Sequence, residues 1–224
     1  MLAAFYDFDG TLVSSNVVTR YFYFARRAPG ALDSLKRSAT VVLGIPYWVA
    51  LDKRSRLAFN LRFYQEYKGL SRDWLDKAAE DIFEREIRPK IYAGSAALLD
   101  ADRQAGYTPV LVTGGLDFAI QPAIEHFGFD HVLANKMVFE SGVATGKLIE
   151  PVLAEAGKVK AMEEFCQSYN VDSTQARGYS DSFSDLPMLE AVGQPRAVNP
   201  DSRLRRAAAQ RGWPVIETKG RPNG

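Results

Sequence analysis

Two aspartates near the start of the chain lie where a buried strand should end. Asp7 and Asp9 follow the apolar run Leu2–Tyr6, and Gly10 comes directly after them. Gly10 permits a turn out of the strand, so that the two carboxylates can diverge around one ion. Carboxylates this close repel each other unless a cation neutralises them, and a hard divalent metal suits oxygen ligands. The alternative is an acidic loop that merely closes the strand.

A second polar motif follows another apolar strand. The run 107–112 leads into Thr113, Gly114 and Gly115 before a predicted helix. A hydroxyl and glycine-exposed backbone amides at a helix N-terminus are suited to an oxyanion. An ordinary strand-to-helix turn would have the same composition.

Charged residues at two further positions extend the pattern. Lys158 is placed at the start of a predicted helix, where the helix dipole is already positive, so a lysine there suggests an anion to neutralise. Asp181 follows a predicted strand and could meet Asp7 and Asp9 across a crevice to complete an oxygen-rich site. Asp185 could belong to the same site or cap the next helix. A surface lysine is the alternative for Lys158.

The segments that must position these residues alternate between strand and helix after Pro89. We predict helices at 95–105, 116–127, 157–169, 185–192 and 202–211, strands at 107–113, 131–134, 175–180, 196–198 and 213–217, and a hairpin at 137–148. This alternation indicates an α/β fold with a parallel sheet. Ligands bind at the carboxyl ends of the strands in such a sheet, which brings the polar motifs together.

The segment between the first strand and this alternation is helical in pattern. We assign 15–88 to an inserted helical cap domain, and 1–14 with 89–224 to an α/β core. Within the cap, the predicted helix starts are Asn16, Ser55 and Ser71, and the predicted breaks are Gly30, Gly44 and Gly69. The tail 219–224 is expected to fray.

The most apolar part of the cap is the segment 39–51, which is interrupted by Gly44 and Pro46. It is too short to span a bilayer. We expect it to form buried cap core. The alternative is a peripheral membrane contact, because basic residues flank the segment and Trp48 lies within it.

The amino-acid composition indicates which kinds of partner and which cellular compartment to expect. The 28 Lys and Arg residues balance 27 Asp and Glu residues, which argues against a nucleic-acid partner. The single cysteine cannot form an internal disulfide, which favours the cytoplasm. We assign the first apolar residues to a strand and not to a secretion signal. The oligomeric state is not predicted.

The dispersed motifs resemble those of the haloacid dehalogenase-like superfamily, in its phosphoserine-phosphatase-like branch (subfamily IB). They are DFDGTL from Asp7, TGG from Thr113, the helix-start Lys158, and YSDSFSDLPML from Tyr179. The resemblance spans essentially the whole chain, since this branch carries a helical cap directly after the first strand. It implies a Rossmann-like doubly wound parallel sheet and phosphomonoester hydrolase activity.

The resemblance also implies roles for the carboxylates. Asp7 would attack the phosphoryl group and form an aspartyl-phosphate, which water then hydrolyses. Asp9 would protonate the leaving alkoxide and later activate that water, while Gly10 lets the chain turn. Mg²⁺ would be held by the Asp7 carboxylate, the Asp9 main-chain carbonyl and Asp181.

The other motifs would then bind the phosphoryl group. Thr113, the Gly114 amide and Lys158 would contact its oxygens, and Asp185 would support the site by orienting water or Lys158. The transition state of this reaction needs mainly positioning and electrostatic stabilisation.

The substrate is left open between a small and a lipid-linked phosphate. Phosphoserine phosphatases usually carry a glutamate nine residues after the nucleophile, whereas this chain has Asn16 there. The apolar cap segment resembles instead that of bacterial phosphatidylglycerophosphate phosphatases. Phosphotransfer, as in a mutase, and a non-catalytic protein that binds phosphorylated ligands are the remaining alternatives.

Overall fold

Eight strands are present in residues 1–218, the part of the chain that the computed structural model describes. They are β1 (Leu2–Tyr6), β2 (Tyr107–Leu116), β3 (His131–Asn135), β4 (Met137–Glu140), β5 (Val143–Leu148), β6 (Arg177–Ser180), β7 (Gln194–Val198) and β8 (Val215–Ile216). Six of them form one sheet in the order β3-β2-β1-β6-β7-β8, and each neighbouring pair is parallel. The tail 219–224, predicted to fray, lies outside the described residues.

Strand β1 lies in the middle of the sheet and is apolar on both of its faces. Phe5 packs edge-on against Phe165 on one face, and Tyr6 stacks on Tyr179 on the other. Phe5 and Tyr6 are both fully buried, as expected where helices cover both faces of a parallel sheet. The predicted α/β fold with a parallel sheet is confirmed.

The described residues contain nine α-helices. They are α1 (Val17–Arg27), α2 (Ala31–Arg54), α3 (Arg56–Phe63), α4 (Arg72–Ile82), α5 (Ser95–Gln104), α6 (Asp117–Phe127), α7 (Ala156–Tyr169), α8 (Leu186–Glu190) and α9 (Ser202–Arg211). Short 3₁₀ turns at Tyr64–Tyr67, Arg88–Lys90 and Phe183–Asp185 and a π turn at Phe83–Ile87 complete the helical segments.

Helices α1 to α4 lie between β1 and β2 in the chain, within the segment assigned to the cap. The predicted starts of α1, α3 and α4 are confirmed, because Asn16, Ser55 and Ser71 each accept a hydrogen bond from the backbone three residues later. The boundaries 15–88 as a separate domain stay a prediction.

Helix α2 differs from what the sequence predicts. It continues through Gly44 and Pro46 as one helix of 24 residues, so the predicted break at Gly44 is wrong. Within the predicted apolar segment, only Val41 and Trp48 are buried, and Leu43 is 80% exposed. The expectation of buried cap core therefore fails for most of this segment. Among the described helices, none combines the length and the apolar character needed to cross a bilayer.

Strands β4 and β5 form the predicted antiparallel hairpin, which lies outside the main sheet. The hairpin bonds instead to the inserted helical segment. Gly69 N donates to Ala144 O, Ala144 N donates to Leu70 O, and Arg72 N donates to Gly142 O. The hairpin therefore links the segment before α4 to the chain that follows β3.

Candidate active site

A cavity of about 240 Å³ lies at the carboxyl ends of β1, β2 and β6. It brings together all the residues that the sequence assigns to the site: Asp7, Asp9, Gly10, Thr113, Gly114, Lys158, Asp181 and Asp185. These residues come from four separate parts of the chain. The parallel topology brings them together because each lies near the carboxyl end of a strand or opens a helix at the same edge of the sheet.

Asp7 is held at the bottom of the cavity directly after β1. Its backbone N–H donates to Tyr179 O, so the chain is still paired to β6 at this residue. Its carboxylate is buried, and Oδ1 accepts a hydrogen bond of 2.6 Å from Lys158 Nζ. Burial raises the pKa of Asp7 to about 6, although the charge of Lys158 opposes the shift. Asp185 adds to the increase.

Lys158 reaches the cavity from the first turn of α7. Its Nζ donates to Asp7 Oδ1 and, at 2.8 Å, to Asp185 Oδ2. Burial alone would lower the pKa of Lys158, but the charges of Asp185 and Asp7 raise it above its usual range. Gly157 lets the helix begin here, because a methyl group at this position would lie 1.9 Å from Val152 O. Lys158 is thus a buried cation and not a surface lysine.

Asp185 does not cap the helix that follows it. Its side chain makes no hydrogen bond to the backbone of α8 and instead accepts from Lys158 and from Ser180 Oγ, the latter at 2.8 Å. The capping alternative is therefore wrong, and the carboxylate orients Lys158.

Asp181 lies across a narrow gap from Asp7. The Thr11 hydroxyl is 3.4 Å from both Asp7 Oδ2 and Asp181 Oδ1, which makes these two carboxylates neighbours. Gly10 has φ of +88°, and a methyl group there would lie 2.0 Å from Asp181 Oδ2. Burial, followed by the charge of Asp7, raises the pKa of Asp181 well above its usual range.

This donor set fits a divalent cation. The three carboxylates of Asp7, Asp181 and Asp185 carry more negative charge than Lys158 neutralises. Among residues 1–218, no three acidic, histidine or cysteine side chains are grouped so that they could hold a metal ion by themselves. The predicted set has only two carboxylate ligands, Asp7 and Asp181, with the Asp9 carbonyl. Hard oxygen ligands with room for waters are what Mg²⁺ prefers.

Thr113 and Gly114 lie in the cavity, but not at a helix N-terminus. Strand β2 continues to Leu116, with a register shift after Thr113, and α6 begins only at Asp117. The Thr113 hydroxyl accepts a hydrogen bond from Gly115 N at 3.0 Å. The predicted strand end at 113 and the placement of these residues at the helix N-terminus are therefore wrong, and a register shift within β2 positions both residues.

Arg20 belongs to none of the sequence motifs, yet it pairs with Asp9. Its guanidinium donates to both Asp9 oxygens, at 2.5 and 2.6 Å, and to Ser15 Oγ at 2.9 Å. Arg20 is 1% exposed and lies on α1 among buried aromatic residues. The available signal was a cation on the apolar face of an amphipathic helix, where a charge needs a partner.

Two residues of α3 were also missed. Arg56 and Asn60 belong to none of the sequence motifs, yet both line the cavity. Arg56 Nη1 lies 3.1 Å from Asp52 Oδ1. Arg56 and Asn60 are four residues apart, which places them on one face of α3. Asn16 lines the cavity too, but its side chain caps α1.

Comparison with known proteins supports an assignment to a family. A family model described as haloacid dehalogenase-like hydrolase matches residues 4–190. A Streptomyces azureus protein named for inhibition of morphological differentiation is 31% identical over 96% of this chain and 78% of its own length. A probable phosphatase of Mycobacterium tuberculosis is 31% identical over 96% of this chain and 74% of its length. A phosphoserine phosphatase of the same organism is 28% identical over 95% of this chain and 70% of its own length.

Solved structures share the fold. A protein of unknown function from Bordetella pertussis Tohama I has a TM-score of 0.81 at 26% identity, covering 96% of this chain and 97% of that protein. A phosphoserine phosphatase in its apo form has a TM-score of 0.67 at 20% identity, covering 98% of this chain and 94% of that protein. At this identity the similarity is evidence for the fold only. The predicted resemblance and the predicted phosphatase class are confirmed. The chain therefore belongs to the haloacid dehalogenase-like hydrolase family.

Proposed function

We propose that this chain hydrolyses phosphomonoesters with Asp7 as the nucleophile and Mg²⁺ as the cofactor. The observation that carries the proposal is the environment of Asp7. Its buried carboxylate contacts Lys158, lies beside Asp181 and opens into the cavity. A carboxylate nucleophile with a neighbouring cation and a metal site is an arrangement suited to phosphoryl transfer.

The reaction has two displacement steps at phosphorus. An Asp7 oxygen forms a bond to phosphorus, the bond from phosphorus to the ester oxygen breaks, and the leaving alkoxide takes a proton from Asp9. Water then attacks the aspartyl-phosphate, Asp9 accepts a proton from that water, and the bond between phosphorus and Asp7 breaks. Inorganic phosphate and free Asp7 result.

Residues around the two aspartates would orient the reacting groups. Thr113, the Gly114 amide and Lys158 would contact phosphoryl oxygens, where charge spreads in the transition state. Arg20 holds both oxygens of the Asp9 carboxylate, so one of these two contacts has to open for Asp9 to carry the proton that the first step uses. Because Arg20 lies on α1, the orientation of this acid and base depends on the first inserted helix.

The Asp7 carboxylate, the Asp9 carbonyl and Asp181 would hold Mg²⁺. Bound there, the ion supplies positive charge that neutralises the carboxylates and the phosphoryl oxygens. Family members generally depend on this metal, and the excess of buried carboxylates over Lys158 supports the same requirement in this chain.

The proposal predicts phosphate release that depends on Mg²⁺. We would measure release from O-phosphoserine, sugar and nucleoside phosphates, and phosphatidylglycerophosphate in detergent, each with Mg²⁺ or with EDTA. At least one substrate should be turned over with Mg²⁺, with a loss of about 100-fold or more in EDTA. Equal rates in EDTA would contradict the metal role, and binding of phosphorylated ligands without release would favour the non-catalytic alternative.

Phosphoserine itself receives little support from the site. Asn16 occupies the position where phosphoserine phosphatases usually carry a glutamate, and its side-chain oxygen is committed to Thr19 N at 2.9 Å. It therefore supplies no negative charge for a substrate ammonium group.

A lipid-linked phosphate is a second candidate, favoured by the exposed face of α2. This face carries large apolar side chains over most of the length of the helix: Leu32, Leu35, Val42, Leu43, Ile45, Tyr47 and Val49, each at least 43% exposed. Large exposed apolar side chains in this number on one helix indicate an interaction site. The helix leads through Ser55 directly to Arg56 at the cavity.

The charges on this face favour an anionic membrane surface. Lys36 near one end and Lys53 and Arg54 at the other are exposed, whereas Asp33 and Asp52 are paired with arginines. An antiparallel second copy would place the basic ends against each other, so like charges would oppose that pairing. Apolar side chains flanked by basic residues suit the headgroup boundary of a bilayer.

We expect the double variant Val42→Ser/Leu43→Ser to bind anionic vesicles at least about 10-fold more weakly than wild type, because two exposed apolar side chains no longer enter the interface. Vesicle co-sedimentation with phosphatidylglycerol measures this effect. Ile149→Ser is the matched control, since Ile149 is 49% exposed outside this face. Equal binding of all three proteins would contradict the membrane contact, and a wild-type dimer that the double variant dissociates would favour a second copy.

A further inference from the structure

Asn60 is a buried polar residue that the catalytic scheme leaves unused. It lies on α3 and is 1% exposed. Its Nδ2 has no hydrogen-bond partner among residues 1–218. Only one other buried side-chain atom of the described residues shares this property, Asp52 Oδ1, and it has the Arg56 guanidinium 3.1 Å away. A buried N–H donor without an acceptor is costly and calls for a ligand.

The surroundings of Asn60 show where such a ligand would lie. Asn60 lines the same cavity as Asp7, Lys158 and Thr113. Its Nδ2 is close to Gly114, since a methyl group built on Gly114 would lie 3.3 Å from it. The donor is therefore beside the backbone that the proposed function assigns to the phosphoryl group.

Gly114 does not itself use the Asn60 donor. Its carbonyl oxygen already accepts from Tyr64 OH at 2.6 Å and from Asn135 Nδ2 at 2.8 Å. These two contacts hold Gly114 from both sides, and they leave Asn60 Nδ2 for an acceptor that enters the cavity. The acceptors with the most negative charge in the proposed reaction are the phosphoryl oxygens.

We propose that Asn60 Nδ2 donates a hydrogen bond to a phosphoryl oxygen of the substrate, so that the inserted helices contact the phosphoryl group directly. This inference rests on the proposed function. Thr113 and Gly114 lie on β2 of the sheet and Lys158 lies on α7, whereas Asn60 belongs to α3. A phosphoryl group would therefore bridge the sheet and α3.

The test is the variant Asn60→Leu, which keeps the volume of the side chain and removes the unpaired donor. Titration with inorganic phosphate and with orthovanadate in Mg²⁺ should show affinities about 10- to 100-fold weaker than wild type. The melting temperature without ligand should be equal to or higher than that of wild type, because an unsatisfied buried group is removed. Asn60→Asp, which replaces the donor by a carboxylate, should weaken phosphate binding further.

Asn199→Ala is the matched control. Asn199 is a buried asparagine away from the cavity, and its amide is satisfied by Thr218. This variant should lower the melting temperature and leave phosphate affinity unchanged.

An unchanged phosphate affinity in Asn60→Leu would overturn the inference, as would weaker turnover caused only by a higher KM for one class of alcohol leaving group. If Asn60→Leu does not fold, Asn60→Asp decides by the same titration. If wild-type protein binds neither phosphate nor orthovanadate, the proposed function fails and this inference fails with it. If wild-type protein binds both and Asn60→Leu binds them equally well, only this inference fails.

Discussion

Replacing Asp7 by asparagine is expected to abolish turnover without weakening the fold. The asparagine amide cannot act as the nucleophile, so we expect kcat to fall by about 10⁴-fold or more. The side chain keeps its shape, and Lys158 keeps its contact with Asp185. Phosphate release by the purified variant, checked by mass spectrometry for deamidation back to aspartate, measures the loss.

The same variant makes a prediction about stability in the absence of metal. Burial raises the pKa of Asp7 from 3.8 to about 6, so ionised Asp7 disfavours the folded state. The cost is absent below about pH 4, grows as the pH rises towards 6, and is fully present above 6. Asp7→Asn should therefore be more stable than wild type by up to about 3 kcal/mol at pH 7.5 in EDTA, since one pKa unit corresponds to about 1.4 kcal/mol.

Thermal or urea unfolding at pH 4.5 and at pH 7.5 in EDTA checks this second effect. The difference between Asp7→Asn and wild type should shrink on acidification. Asp130→Asn, at an exposed carboxylate, is the control and should show no such trend. A variant with more than a few per cent of wild-type turnover, or a stability difference that does not change with pH, would contradict the assignment of Asp7.

Replacing Lys158 by methionine is expected to produce the largest loss of stability. Lys158 contacts Asp7 and Asp185, and all three side chains are buried. Removal of the ammonium leaves two buried carboxylates without their counter-charge, which typically costs about 3–5 kcal/mol. Activity should be lost as well, because Lys158 is the cation proposed to contact the phosphoryl group.

The loss of stability in Lys158→Met should depend on pH. The folded pKa of Lys158 is raised, so its stabilising effect is fully present below its unfolded value of 10.5 and thus at pH 7. In Lys158→Met, protonation of Asp7 relieves its repulsion of the neighbouring carboxylate. The variant should therefore recover stability relative to wild type as the pH falls from 7 to 5.

The double variant Lys158→Met/Asp185→Asn separates stability from activity. It removes one of the two carboxylates and should recover part of the lost free energy of unfolding, while phosphate release stays absent. Urea unfolding of both single variants and the double variant gives their interaction energy. Additive effects would mean that Lys158 and Asp185 are not coupled.

The sequence predicted the sheet and the convergence of the motifs because both follow from short-range patterns. Asp7 ends an apolar strand, and Asp181 ends another, so the parallel topology brings them to one edge. Arg20 and Asn60 escaped because their roles depend on how the inserted helices pack over that edge. No local pattern gives the distance from Arg20 to Asp9, which is 11 residues away in the chain and 2.5 Å away in space.

The errors have physical causes too. Gly44 and Pro46 suggested a break in α2, but tertiary context holds the helix together through Trp48, which packs against Phe63. Apolar composition suggested burial, yet it cannot distinguish a buried face from one exposed for a partner. The strand β2 continued through two glycines because its pairing to β3 resumes at Leu116 after a register shift.

The hairpin of β4 and β5 has a consequence for recombination between related chains. The segment 15–88 is one continuous insertion in the sequence, which suggests that it could be exchanged as a single piece between related chains. Its backbone is bonded to the hairpin at Gly69, Leu70 and Arg72, however, and the chain at Gln65 lies against Gly146. The exchangeable unit is therefore discontinuous: a chimaera would have to carry both 15–88 and 137–148 from the same parent.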